Sequence, residues 1–311
     1  MSISRKPWLW SFVAALVVFV ITIAATAGAS TGGVMQAALT FAAISIIVGT
    51  GQMFVITLGP GNIDLAVPAT MTLAATLALK YMDGVAVLIV PGLLIALGIG
   101  VAIGVLNYAL IKLLRIPPII ATLAMSFVIQ STAIATNRGL RIKPPQMLAD
   151  FTTGSLLGLP NLAWVALLVT VAAWLLLNRT VYGRWVPAIG QSIAAARMAG
   201  VPVDGVRLAT YVLCAVLAAI AGYLMASFSG GAALDMGKEY LLMSIAVVVI
   251  GGSSVAGGDS NVPGIWGASL FMYLVVTMLN TYGLQSGARQ IFTGIIIITV
   301  ILVASGRRRA S

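Results

Sequence analysis

The stretch YGRWVPAIGQSIAAARMAGVPVDGVR, Tyr182 to Arg207, separates two long apolar runs and, with Arg179 just ahead of it, carries four basic residues. Within it, Ser192 to Ala199 forms a short helix. Gly200 closes that helix, because glycine reaches the left-handed C-cap conformation without steric cost, and Pro202 stops it from continuing. Ala194, Ala195, Ala196 and Ala199 leave the helix smooth, so a groove on another protein can approach its backbone closely. A helix lying outside the apolar runs in this way is placed to receive a push and pass it on.

The runs on either side set the class. The chain has 311 residues, of which 60% are hydrophobic and only 8% charged, against about 45–50% apolar and about 25% charged in soluble domains. This is an all-α polytopic membrane protein. Its formal charge of +10 is scattered between apolar runs, which suits loop cations facing the cytoplasm and anionic membrane lipid and implies no nucleic acid. There is no histidine, and Cys214 is a lone cysteine inside an apolar run. Metal and general-base chemistry therefore have nothing to work with, and Cys214 reads as an inert packing residue.

In chain order, about ten spans are predicted: Trp8 to Ala27, Val34 to Leu58, Leu65 to Leu79, Gly84 to Ile111, Ile119 to Thr136, Leu162 to Leu177, Leu208 to Phe228, Tyr240 to Ile250, Ile265 to Asn280 and Gln290 to Ala304. The first is long enough to cross a hydrocarbon core of ~30 Å, and it outruns the 7–15 residues of a signal peptide's apolar region. The loop 137–160, with Arg138, Arg141 and Lys143, lies across the outer face with at most a short helix, and Gly230 to Lys238 reads as an external turn. All of 1–311 forms one transmembrane domain, with 179–207 as its cytoplasmic segment.

Two glycine-rich stretches break this pattern. GPGNID, Gly59 to Asp64, cannot continue a helix; Asn62 can cap the next one and Asp64 can sit in its first turn, where the helix dipole favours an anion. GGSSVAGGDSNVPG, Gly251 to Gly264, is the second break. Irregular backbone is tolerated at membrane depth only against protein or a wet cavity, so two re-entrant breaks suggest a pathway. Gly100 and Gly104 make a small-xxx-small pair for close packing, and Thr122, Ser126 and Gln130 share one helix face. That polar stripe is either packing glue or pathway lining, and Asp64 is either a cap or part of the path. The glycines do not make a phosphate-cradling loop, since Gly237-Lys238 is followed by Glu239.

Four ordered stretches resemble the permease subunits of ribose-class ABC importers. Ala188, Ile189, Gly190, Ala195, Ala196, Arg197, Gly200 and Val201 match the family's cytoplasmic loop. Gly-Asn-Ile-Asp-Leu-Ala-Val resembles Gly-Gly-Ile-Asp-Leu-Ser-Val, with Asn62 and Ala66 as departures and Asp64 retained. ATLAMSFVIQSTAIATNRG is similar to a Thr-Leu-x-x-Met stretch, and Gly251, Gly252, Ser254, Gly257 and Gly258 match a late Gly-Gly-x-Ser-x-x-Gly-Gly.

The resemblance implies a type II-like ABC importer permease in a bacterial inner membrane. Its partners are then a second permease copy or paralogue, an extracytoplasmic solute-binding protein, and an ATPase subunit that binds the ATP and Mg; the chain itself has no cofactor and no catalytic site. Gly190, Ser192, Ala195, Ala196, Arg197 and Gly200 become the coupling residues, and Asn62, Asp64, Thr122, Ser126, Gln130 and Ser254 the candidate pathway residues. Because the spans carry so little charge, Asp64 being the one candidate, a proton- or ion-driven mechanism is disfavoured and a small neutral solute such as a monosaccharide suits the path. The alternative is an ATP-independent secondary carrier or facilitator of small polar solutes. With both termini in the cytoplasm, eleven cations fall inside (Arg5, Lys6, Lys112, Arg115, Arg179, Arg184, Arg197, Arg207 and Arg307 to Arg309) and six outside (Lys80, Arg138, Arg141, Lys143, Lys238 and Arg289), the bias expected of a cytoplasmic face.

Overall fold

The computed structural model describes residues 7–25, 31–137 and 143–282, and single positions 287, 291, 294 and 295. Twelve α-helices lie in these residues: α1 (Pro7–Ala25), α2 (Thr31–Thr57), α3 (Val67–Met82), α4 (Ile89–Leu114), α5 (Pro118–Thr136), α6 (Gln146–Thr153), α7 (Asn161–Arg179), α8 (Val181–Gln191), α9 (Ile193–Met198), α10 (Val203–Phe228), α11 (Tyr240–Ile250) and α12 (Val262–Thr281). The sequence predicts about ten. The three helices beyond the predicted spans, α6, α8 and α9, are short and lie in the two polar segments, α9 where a short helix is expected, and of the tenth predicted span only positions 291, 294 and 295 are described. Six described helices are long and apolar enough to cross a bilayer, and two apolar helices, over Trp8–Ala24 and Tyr240–Ile250, are shorter.

α2 is the axis of the fold: every residue from 42 to 59 is buried. α10 packs along α2, α3 and α4, while α1 and α12 pair on the far side of α2. Small residues make these contacts close. A Cβ on Gly100 of α4 would lie 2.7 Å from the Val216 Cα of α10, and one on Gly51 of α2 would lie 3.1 Å from the Cys214 Cα. Larger residues there would force the helices apart and forfeit dispersion contacts along their length.

α10 begins at Val203, five residues before the apolar run suggests. Hydropathy stops at Arg207, yet Asp204 belongs in the first turn, where the helix dipole favours an anion, and Arg207 finds partners inside the protein. Likewise α3 starts at Val67, with a proline in its first turn, rather than at Leu65. The segment between α5 and α7 holds α6 and a short hairpin of two-residue strands, β1 (Ser155–Leu156) with β2 (Leu159–Pro160). Trp164 of α7 donates to the Leu156 carbonyl at 3.1 Å and ties the hairpin down. Arg138 and Arg141 lie outside the described residues, as do Arg5, Lys6, Arg289 and Arg307 to Arg309.

Candidate functional site: two helix breaks pinned to a third helix

The two glycine breaks, far apart in sequence, meet at one point, and α8 is the third member of the junction. The Gly258 amide donates to the Thr57 carbonyl at 2.9 Å, joining the second break to the end of α2. A Cβ on Gly257 would lie 2.6 Å from the Gly59 amide nitrogen and 3.2 Å from the Gly190 carbonyl oxygen. Gly190, near the C-terminus of α8, is wedged deepest: a Cβ there would collide with the Thr57 carbonyl and the Gly258 amide nitrogen. Three backbones touch here because three glycines leave no side chain between them. At its base, the second break is closed by Asn261, whose side chain accepts from the Gly264 amide at 3.3 Å and whose own amide donates to Ser253 Oγ at 3.0 Å.

A polar cluster fixes the first break from the other side. Asp64 Oδ1 accepts from the Ala66 amide at 2.9 Å, and Asn107 of α4 donates to both carboxylate oxygens at 3.3 and 3.4 Å. Asp64 thus precedes α3 instead of lying in its first turn, and it satisfies the chain's turn into that helix. Asn62 does not cap α3: its Oδ1 accepts from Arg207 at 3.3 Å and from Tyr211 at 3.1 Å, and its amide group donates back to the Gly59 carbonyl. Tyr108 stacks beside Tyr211, lies under the Arg207 guanidinium at 5.8 Å, and donates to Asp204 at 2.7 Å. Lys112 completes the chain of contacts with an exposed 3.3 Å ion pair to Asp204. A continuous polar connection therefore runs from the start of α10 to the first break.

α9 stands out from the body of the protein next to the glycine junction. Ser192 caps it by accepting from the Ala195 amide at 3.2 Å. At the other end Gly200, at φ +78°, donates to the Arg197 carbonyl and Val201 to the Ala196 carbonyl, both at 3.0 Å, which closes the last turn in a Schellman motif. Ala196 alone of the six residues is buried.

A family described as branched-chain amino acid transport system, permease component, matches residues 34–301. The chain belongs to that family. Among its relatives, the ribose import permease protein of Escherichia coli strain K12 is 29% identical over 265 residues, covering 84% of this chain and 82% of the relative. The galactofuranose transporter permease protein of the same strain is 36% identical over 255 residues, 79% and 73% of the two chains. The fructose import permease protein of Bifidobacterium longum is 27% identical over 311 residues, 94% and 86%. No solved structure matches. The chain is thus the membrane-spanning permease component of an ABC importer, a family whose permease has no catalytic site of its own.

In this permease the predicted coupling residues are not all alike. Ser192, Ala195, Arg197 and Gly200 are exposed, Ala196 faces the core, and Gly190 lies beneath in the glycine junction. Ala196 therefore anchors the helix rather than smoothing its outer face. Met198, 85% exposed, and Ile193 stand on that outer face, and sequence reading passed over both because an isolated apolar residue in a polar loop carries no pattern.

Of the predicted pathway residues, Asn62, Asp64 and Thr122 come together. Thr122 Oγ1 accepts from the Leu65 amide at 3.1 Å and so ties α5 to the first break. Ser126 and Gln130 do not join them: Ser126 bonds back to the Leu123 carbonyl of its own helix, and Gln130 donates to the Leu234 carbonyl at 2.8 Å. Ser254 sits in the second break, its amide bonded to the Asp259 carbonyl. Asn107, Arg207, Tyr108 and Tyr211 were missed. Asn107 was findable as the lone amide in a predicted span, whereas Arg207 looked like an ordinary loop cation.

Proposed function

We propose that this permease imports a neutral monosaccharide delivered by an extracytoplasmic binding protein, with the ATPase subunit docking on α9. The names of the ribose, galactofuranose and fructose relatives support a sugar over the amino acid of the family description. A second permease copy or paralogue completes the path. The subunit spans a bacterial inner membrane about ten times with both termini cytoplasmic, a placement supported by the excess of cations on the α9 side.

One observation carries the mechanism: the exposed α9 is joined through Gln191 to Gly190, and Gly190 is clamped against both helix breaks at once. A displacement of α9 is poorly absorbed where Gly190 meets Thr57 and Gly258, because backbone meets backbone there, with the Gln191 side chain beside Gly258. The polar connection from Asp204 to Asn62 gives a second link between the same loop and the first break. Movement of the ATPase is thereby delivered to both interruptions of the bundle.

The test is a reconstituted complex of permease, ATPase and binding protein. Gly200→Pro removes the left-handed cap, since proline is fixed near φ −65°, and Arg197→Glu reverses an exposed charge on the docking face. Both are expected to insert normally and to lose binding-protein-stimulated ATP hydrolysis and sugar uptake together. Parent-like coupling in both variants would mean that α9 is an ordinary loop helix.

A further inference from the structure

The segment 229–239 between α10 and α11, expected as an external turn, is tucked against the packed helices. Leu234 packs on the buried cluster of Ala66, Ala69, Ile103, Ile129 and Ala215, and its carbonyl is held by Gln130. Gly237 presses on the first turn of α3, where a Cβ would lie 2.8 Å from the Pro68 Cα. Ala215 is near the midpoint of α10, so roughly 18–20 Å of helix lie on either side of it at 1.5 Å per residue. The chain leaves the end of α10, folds back toward the middle of the bundle, and starts α11 from there.

This re-entrant segment carries Asp235, Lys238 and Glu239, all three exposed, and none forms an ion pair among the described residues. Two of the chain's seven acidic residues are therefore placed at membrane depth with their side chains uncovered. Charges there are not left facing hydrocarbon; they face water or a partner, and they mark substrate paths.

We infer that Asp235, Lys238 and Glu239 form a solute-contact site on the wall of the translocation path, taking a neutral polyhydroxylated solute; the solute class rests on the importer reading above. A carboxylate accepts from two neighbouring hydroxyls, and an ammonium donates to a hydroxyl or ring oxygen, so the three groups match the mixed donors and acceptors of a sugar edge. They lie on a flexible-side-chain surface rather than in a closed pocket, which gives the brief, weak contacts that passage requires. The glycine junction then moves the breaks beneath this site, while the site itself meets the solute.

Single cysteines at 235, 238 and 239, in a Cys214→Ala background, decide it in the reconstituted complex, with a cysteine at the lipid-facing Leu168 as control. A membrane-impermeant thiol reagent is expected to label all three at least tenfold faster than the control, and sugar-loaded binding protein with ATP is expected to slow that labelling. Asp235→Asn and Glu239→Gln are expected to lower uptake roughly tenfold each, the loss of one charge-assisted hydrogen bond, while binding-protein-stimulated ATP hydrolysis persists. A parent complex that imports sugar while all three cysteines stay unreactive overturns the site, and so do reactive cysteines whose neutralised counterparts transport like the parent. A parent complex that imports no monosaccharide overturns the importer reading instead, and the labelling pattern of the segment separates the two failures.

Discussion

The first break, Gly59 to Ala66, and the segment 229–239 both interrupt helical backbone near the middle of the bundle, and they deal with the freed polar groups in opposite ways. At the first break protein supplies every partner named above: Asn107 and the Ala66 amide for Asp64, Arg207 and Tyr211 for Asn62, Thr122 for the Leu65 amide. Asn62 and Asp64 are 6% and 1% exposed. In the 229–239 segment three charged side chains stay uncovered instead. Buried and fully bonded irregular backbone holds a fixed shape; exposed and charged irregular backbone needs water beside it. On the readings proposed above, the first region is a mechanical joint and the second a wet surface.

The comparison is broken most directly with glycine. Gly190→Ala puts a methyl group into the Thr57 carbonyl and the Gly258 amide, with only backbone to yield. We expect a loss of about 3 kcal/mol or more, at the upper end of overpacking effects, visible as a collapse in the yield of folded permease and in uptake. Gly230→Ala, in the segment, meets nothing within 4 Å and has only its φ of +74° against it, so about 1–2 kcal/mol is expected. Comparable thermal stability for the two variants would remove the distinction between joint and surface.

A middle-sized effect is expected at Asn107. Replacing it by leucine leaves the buried Asp64 carboxylate without the side-chain donor that reaches both its oxygens. The expected cost is about 2–3 kcal/mol, the penalty of an under-satisfied buried polar group, read as a fall in the midpoint of thermal unfolding in detergent. Lys238→Gln, on the wet surface, is expected to move that midpoint by about 0.5 kcal/mol or less, as for substitutions away from packed features.

How much of this was legible beforehand follows from the range of each interaction. The short helix α9 was readable because its signals are local: Ser192 three residues before the Ala195 amide it caps, Gly200 at the turn, Pro202 beyond. Both breaks were readable for the same reason, since glycine and proline interrupt helices wherever they cluster. That the breaks touch each other and α8 was not readable, because Gly190, Gly59 and Gly257 are brought together by the packing of whole helices. Hydropathy misplaced the start of α10, as it counts Arg207 as a surface cation and cannot see Asn62 and the Tyr108 ring that receive it. Nor does the polar run Gly230 to Lys238 reveal in sequence that Leu234 and Gly237 pack against α3 and α5, since those contacts are long-range.

A small effect sharpens the comparison. Asn62 Oδ1 has two donors, Arg207 at 3.3 Å and Tyr211 at 3.1 Å, and the Tyr211 ring is fully buried against Tyr108. Tyr211→Phe keeps the ring and its stacking and removes one neutral hydrogen bond, while Arg207 continues to satisfy the acceptor. The net cost of one such bond is about 0.5–1.5 kcal/mol, and the remaining donor places this case at the low end. Arg207→Leu, by contrast, removes the charged donor and also the contact over Tyr108, so it is expected to cost more than Tyr211→Phe, and the two together are expected to cost more than the sum of the single changes, since the double variant leaves the buried Asn62 oxygen without either donor. A double-mutant cycle on unfolding midpoints measures that coupling. Strict additivity would mean that Asn62 is not a shared latch, and that the polar connection from Asp204 to the first break is a row of separate contacts instead of a link.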